Sequence, residues 1–336
     1  MRGTRRWLIL AVLSAGLCVM SGCSTGELES PFRSAESLEV RISVSSTADE
    51  TERDGMRLFV DKLLENSEVP LDISLFYESD PEASLKAGEA DLILADPQTL
   101  ARYDSDFSIY ASPFYFRDYE HMTMTLNSPT FLQLTELDYA ETLQAKQLGA
   151  FYGGTMMVMT KESPIRAVKD MLEFTIAEPS DFYTAAAFES LFKAVQPAGD
   201  NLADIWQDEE ITAMEVNSAD LMELTDQQVD RSYLINTSHR IEMSWLYVSD
   251  DFYNSAGEQL QAALQEASAY AVSYVDQERE KAYEDGYAAL QEKGLRTARF
   301  VTENLRKSGK DLLTSQTDFF TTIDKSRYDA VTMIIR

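Results

Sequence analysis

The chain has 336 residues, with 29 Lys and Arg against 57 Asp and Glu, a formal net charge of −28 and 44% hydrophobic residues. Phosphate backbones need clustered Lys and Arg, so this balance excludes nucleic acid as a partner. The hydrophobic content excludes global disorder, and the length exceeds one core of usual size, so two lobes are expected.

The N-terminus carries Arg2, Arg5 and Arg6 ahead of an apolar run, Trp7–Val19. That run is too short to span a bilayer, which needs about 20 residues, and polar sequence follows at once. Residues 1–22 therefore read as a signal peptide. Met20-Ser21-Gly22-Cys23 resembles a bacterial lipobox, which implies cleavage before Cys23 and its lipidation. Residues 23–37 would then be a flexible tether to the membrane. The two cysteines are Cys18 and Cys23, so the mature protein is expected to have no disulfide and no thiolate metal site.

Leu38–Val44 alternates apolar and polar residues, as a half-buried strand does. Asp49–Glu65 has helical spacing through Met56, Phe59, Val60, Leu63 and Leu64. Leu71–Tyr77 is a second strand, Ala83–Ala87 a short helix stopped by Gly88, and Asp91–Ala95 a buried strand before the helix opened by Asp96-Pro97. This alternation predicts an α/β lobe with a mostly parallel sheet. Phe107–Pro113 reads as a strand, and Arg117–Asn127 and Thr130–Gln144 as helices.

A new strand begins at Leu148–Tyr152 and leads into Tyr152–Pro179. That stretch holds two apolar strands, Met156–Met159 and Phe174–Ala177, joined by a Ser163-Pro164 turn and a helix over Ile165–Leu172. A pair of strand ends beside a cleft is a common way to hold a small ligand. Helices follow at Asp181–Val195, Leu202–Trp206 and Ser218–Leu224, with a strand at Ile211–Asn217. Trp206, at helical spacing, reads as core. Tyr233–Thr237 and Ile241–Val248 read as two strands returning to the first lobe.

Ser255-x-x-Glu258 has the form of a capping box, opening a helix to Lys293 with Gly286 as a possible bend. At about 1.5 Å per residue it would span roughly 55–60 Å, enough to cross both lobes. The expected lobes are residues 38–148 with 240–270, and 149–239 with 271–336. The end of the chain, 301–336, reads as helix and then a short apolar segment.

The sequence has no zinc-protease motif, nucleophile elbow or phosphate loop, so neither an enzyme nor a cofactor is expected. Gly153-Gly154 is a weak signal by itself. The carboxylates Asp208, Glu209 and Glu210 read as a solvated face. His121 sits on an amphipathic helix and His239 in a polar turn, positions that suit structural or surface roles.

Several segments resemble DctP-type solute receptors of TRAP transporters. Leu85–Leu92 (LKAGEADL) resembles that family's L-x-x-G-x-x-D-(L/I/M). Phe107–His121 (FSIYASPFYFRDYEH) is similar to F-x-(V/I)-x-x-L-P-F-L-F-x-(D/S)-x-E-H. Ser163-Pro164-Ile165 resembles the (K/R)-P-I turn, and Tyr233–Asp251 resembles Y-(L/V)-x-x-T-x-H followed by a strand and V-S-x-x-x-(F/W). The resemblance spans 38–300 in order. It implies a two-lobed, periplasmic-binding-protein-like α/β fold of type II with a long helix crossing both lobes. It also implies a small-molecule ligand, with small and large TRAP membrane subunits as partners. A receptor of the same fold that signals to a membrane sensor, or a degenerate orphan receptor, is the alternative.

The same resemblance places the ligand clamp. Family members pair the ligand carboxylate with an arginine where this chain has Ala177, and often with a second where it has Met156. Of a third segment, (V/I)-D-G-x-E-(N/T), Glu215 is retained within Ile211–Val216. A bidentate Arg–carboxylate pair cannot be replaced by Met or Ala. The expected ligand is therefore neutral, cationic or amphiphilic, the last favoured by Met156, Met157 and Tyr183. The alternative is that Lys161, Arg166 or Arg240 supplies a replacement cation. The expected ligand-binding residues are Met156, Ala177, Tyr183 and Glu215.

Overall fold

The computed structural model describes residues 37–131, 142–179, 181–197, 202–315 and 319–333. Cys23, the signal peptide and the tether up to residue 36 lie outside them, as does most of the helix expected over Thr130–Gln144.

The first strands and helices follow the sequence signals. β1 (Leu38–Ser45) pairs in parallel with β2 (Leu71–Glu78) and with β3 (Leu92–Ala95). Between β1 and β2, α1 (Glu50–Asn66) opens on a capping box. Asp49 accepts from Glu52 N at 3.0 Å, and Asp49 N donates to Glu52 Oε2 at 3.1 Å, which satisfies two helix-end donors. Met56, Phe59 and Leu63 form the buried stripe of α1. α2 (Pro81–Ala87) is capped by Asp80 and ends at Gly88, whose φ of 69° suits a residue without Cβ. α3 (Pro97–Leu100) is capped by Asp96, which accepts from Gln98 N and Thr99 N at 2.9 Å.

Phe107–Pro113 is not a strand. It is a 3-10 turn, Ser105–Phe107, running into α4 (Ser108–Ala111). Asp104 caps the turn, and Ser112 Oγ bonds back to Ser108 O at 2.7 Å, so local bonds replace a sheet ladder. Phe107, Tyr110 and Phe131 instead pack around Trp245, with Tyr110 at 4.7 Å and Phe107 at 5.3 Å between ring centroids, and Tyr115 packs edge-on against Tyr110. The aromatic-rich motif is a core plug. α5 (Tyr119–Leu126) follows, with His121 buried and its Nδ1 accepting from Arg117 N at 3.1 Å.

Two long strands organise the rest. β4 (Ala145–Lys161) and β8 (Ser232–Ser249) pair antiparallel along nearly their whole lengths. The described strands form one sheet in the order β2-β1-β3-β8-β4-β7-β5-β6. Here β5 is Thr175–Ala177, β6 is Ala194–Gln196 and β7 is Ala213–Asn217, while β9 (Arg296–Thr297) pairs with β8. The helix expected over Ile165–Leu172 is a 3-10 segment, Val168–Glu173. Asp170 Oδ2 accepts from Arg166 N and Ala167 N, which delays the turn by three residues. α6 (Phe182–Leu191) is shorter than expected, because Ala194–Gln196 leaves it to pair with β5. After α7 (Leu202–Gln207), the segment Ser218–Glu223 is 3-10, and α8 (Asp226–Val229) precedes β8.

α9 (Asp250–Ser255) and α10 (Gly257–Glu292) are separate helices. The capping box at Ser255 does not form. Ser255 belongs to the end of α9, and its hydroxyl turns back to Phe252 O at 2.9 Å. Gly257, at φ 72°, turns the chain between them. α10 has 36 residues, about 54 Å at 1.5 Å each. It continues through Gly286, where a Cβ would lie 2.9 Å from Leu221 Cβ, so this glycine serves close packing. α11 (Thr302–Ser315), α12 (Phe319–Thr322) and α13 (Lys325–Thr332) complete the described chain.

The apolar residues separate into clusters. One joins β1, α1, β3 and the first half of α10, through residues such as Val40, Phe59, Leu94, Leu264 and Val275. Another joins β4, β7 and the end of α10, through Met157, Met159, Met214, Leu221 and Leu290. The largest, around Trp245 and Phe188, runs between them.

Candidate functional site

The site is built on an irregularity in the central ladder. Met156 of β4 pairs with Arg240 of β8, yet Val158, two residues on, pairs with Ile235. Four residues of β8, Asn236–His239, thus lie opposite the single Met157 of β4. The bulge breaks a strand that the sequence presented as two, and Ser238 takes a positive φ of 43° within it. It also turns His239 inward, so this histidine is buried and not part of an exposed turn.

His239 Nε2 donates to Glu215 Oε1 at 2.6 Å, and Thr237 Oγ1 meets its Nδ1 at 2.7 Å. The next residue, Arg240, is also buried. One of its terminal nitrogens lies 2.5 Å from Glu242 Oε1 and the other 3.9 Å from Glu215 Oε1. Burial alone would raise the Glu215 carboxyl, but the hydrogen bond from His239 and the charge of Arg240 outweigh it and hold the group below its ordinary value. Burial raises Asp181 and Glu242 more than Arg240 lowers them. Burial would lower Arg240, yet Glu242, Glu215 and Asp181 together raise it. One guanidinium thus serves three carboxylates.

Arg240 and Glu242 line a cavity of about 590 Å³ bounded by the ends of β1 and β3, the first residues of α1 and α3, β8 and α10. Its second buried cation is Arg279 of α10, which lies 2.5 Å from Asp49 Oδ2 and donates from Nε to Tyr152 O at 3.1 Å. Arg102 also contributes to the lining, as do Glu52 and Asp96. Burial raises Glu52, offset in part by a hydrogen bond with Ser244. Four carboxylates therefore face three guanidiniums, and both buried guanidiniums already have a carboxylate of their own. The remaining lining mixes small polar residues, Ser45, Thr47, Gln98, Thr99 and Ser244, with apolar ones such as Leu94, Tyr110, Ile241 and Met243.

None of Met156, Ala177, Tyr183 and Glu215 lines this cavity. Glu215 lies behind it, joined through Arg240. Met156 is the register partner of Arg240, so the chain carries its guanidinium one strand over from the position that resemblance marks. Ala177 is buried in the cluster that contains Met157, Met214 and Trp206. Tyr183 packs edge-on against Phe319 at 5.3 Å. Of the three replacement cations considered, Arg166 is exposed and Lys161 lies over the Trp206 ring at 5.0 Å, while Arg240 reaches the cavity. Sequence reading missed Arg279. Its signal was present: Arg279 continues the buried spacing Ala267, Ala271, Val275, and an arginine on such a stripe needs a partner.

The sequence matches the family described as "Bacterial extracellular solute-binding protein, family 7" (DctP) over residues 43–320. No curated protein matches it. Among solved structures, a TRAP periplasmic solute binding protein from Ochrobactrum anthropi is similar at TM-score 0.75 and 17% identity, covering 88% of this chain and 93% of that one. One from Escherichia fergusonii has TM-score 0.74 and 19% identity, covering 89% and 100%. One from Desulfovibrio desulfuricans has TM-score 0.67 and 20% identity, covering 87% and 96%. The mixed α/β sheet with its long helix is the fold of these receptors. The chain belongs to the DctP family of bacterial extracellular solute-binding proteins, which are receptors and not enzymes.

Proposed function

We propose that the protein captures a neutral or cationic polar molecule in the cavity beside Arg240 and Arg279 and delivers it to the small and large subunits of a TRAP membrane transporter. The charge state of the cavity carries this reading. A ligand carboxylate needs a guanidinium whose charge is not already answered, and each buried guanidinium here pairs with a carboxylate, Arg240 through one terminal nitrogen with Glu242 and Arg279 through one with Asp49. Bringing in another anion would add a fifth negative group to a lining that already has four. The D. desulfuricans protein holds bound sn-glycerol-3-phosphate, an anion, and this balance argues against carrying that ligand over. The amphiphilic option rested on Met156, Met157 and Tyr183, none of which lines the cavity.

A thermal-shift panel tests the ligand class, since a ligand that binds only the native state raises the melting temperature by mass action. A neutral polyol or a betaine-type ammonium is expected to give a saturable rise, and a four-carbon dicarboxylate none. Micromolar calorimetric binding of the dicarboxylate would overturn the ligand class and leave the receptor class standing.

We infer that two lobes, 38–148 with 240–270 and 149–239 with 271–336, close on the ligand. Lipidation at Cys23 would hold the receptor at the membrane. The intact chain is then expected in the membrane fraction, and Cys23→Ser in the soluble one; equal partition of both proteins removes the anchor.

A further inference from the structure

Gly153-Gly154, a weak signal in the sequence, has a place beside the cavity. Tyr152 pairs with Met243 and Gly154 with Glu242, so Gly153 is an extra residue of β4. A bulge of this kind re-aims the side chains next to it. A Cβ on Gly153 would lie 2.8 Å from Glu242 Cβ and 3.0 Å from its backbone carbon. The glycine therefore clears the space in which Glu242 leaves β8.

Glu242 uses that space to meet Arg240. The two are alternate residues of β8, so they lie on one face of the strand. One terminal nitrogen of Arg240 is 2.5 Å from Glu242 Oε1. Glu215 is 3.9 Å from the other, and is itself held by His239 at 2.6 Å. Glu242 is thus the close partner of this guanidinium. Exposure separates the two sides of the pair: the side chain of Arg240 is 3% exposed and that of Glu242 36%. Both line the cavity. At this point the cavity presents a carboxylate to a ligand, and the guanidinium lies beneath it.

We propose that Glu242 is the specificity-determining residue of the cavity. It is a carboxylate carried by the chain itself, seated on Arg240 where the carboxylate of an acidic ligand would otherwise pair. Simple acids are thereby refused, and a cationic or donor-rich ligand meets an acceptor. The proposal rests on the reading of this cavity as the ligand site and names the residue that sets its ligand class. An incoming carboxylate must either displace Glu242 or sit beside it. Displacement exchanges one ion pair for another and leaves Glu242 without its cation, while adjacency sets two like charges together. The tether adds to the advantage, since Glu242 is held beside its partner at high effective concentration.

Glu242→Ala removes a methylene and a carboxylate, the atoms of acetate, so acetate is the probe. Thermal unfolding of the intact protein is followed at constant ionic strength, with sodium chloride as the balance. Acetate is expected to leave the melting temperature of the wild-type protein where chloride leaves it. In Glu242→Ala it should give a saturable rise, half-complete at a concentration at least about tenfold below that of acetamide, its neutral isostere. Glu242→Ser leaves the same space and should respond alike, which keeps the test available where the alanine variant does not fold. Glu242→Gln fills the space with an amide and should show no acetate response. Crystals of the alanine variant grown in acetate should hold the ion against Arg240. No rise in either small variant, equal action of acetate and acetamide, or an ion seated away from Arg240 would overturn the role of Glu242 and leave the wild-type ligand class untouched. Dicarboxylate binding by the wild-type protein is a separate result, which would overturn that class and the proposal with it.

Discussion

An Arg240→Met variant is expected to lose about 3–5 kcal/mol of stability at neutral pH, the cost of stranding a buried charge network. Arg240 is 3% exposed and holds Glu242 and Glu215, with Asp181 also in its field. Methionine fills the space and removes the charge. The defect should depend on pH in a defined direction. In the native protein the Glu215 carboxyl is held below its ordinary value, so its contribution is full above the unfolded value of about 4.3 and is lost as pH falls through the depressed one. Asp181 and Glu242 are raised, so each favours folding at low pH and costs stability as pH rises through its own value. Without Arg240 those two should rise further, and Glu215 loses one of its two lowering partners. The deficit should therefore be larger at pH 8 than at pH 5 in urea denaturation. An unchanged midpoint at pH 8, or a deficit that grows on acidification, would show that the network is not held by this cation.

Gly154→Ala is expected to cost about 3–5 kcal/mol, from backbone strain and overpacking together. Gly154 has φ 109°, a region that L side chains rarely adopt, and a Cβ there would lie 1.9 Å from Asn217 Oδ1. Asn217 cannot step aside cheaply. Its Nδ2 donates to Gly153 O at 2.9 Å, and its Oδ1 accepts from Ala219 N at 2.9 Å. Gly88→Ala is the control, because Gly88 is left-handed at φ 69° but has nothing within 4 Å of the added carbon, so about 1 kcal/mol is expected. Equal losses in the two variants, read from denaturation midpoints, would mean that the contact with Asn217 is not what makes Gly154 necessary.

Much of the fold was legible because local signals agree with it. Asp49 and Asp96 each open a helix that the structure caps with that residue. The alternation in Leu38–Val44 becomes a strand because one continuous sheet uses both its edges. Phe107–Pro113 misled because its aromatic residues are called inward by Trp245, some 135 positions later, and no local pattern records that demand. Ser255 misled for a different reason: its helix had begun earlier, at Ser249, so the hydroxyl no longer faced a free N-terminus. The candidate site was legible in its strands and not in its side chains. Met156 was placed on the strand next to the guanidinium, but which of several cations would reach the cavity depends on the four-residue bulge before Arg240. A bulge is a mismatch between two strands, and neither strand shows it alone.

The position of β8 in the sheet has a consequence for how the chain reaches its native state. β8 is the eighth strand in sequence, yet it joins β3 to β4 at the middle of the sheet. Leu92 pairs with Val248, and the β4–β8 ladder runs from Lys161 with Ser232 to Ala145 with Ser249, so both are long-range pairings. Pairings of that separation carry a large loop-closure cost and form slowly. While Ser232–Ser249 has yet to be synthesised, β3 has an open edge and the two sides of the sheet have no ladder between them. A chain of an extracellular family is thereby kept from completing its core until most of it has been made, the condition in which a polypeptide can still be threaded through a narrow channel.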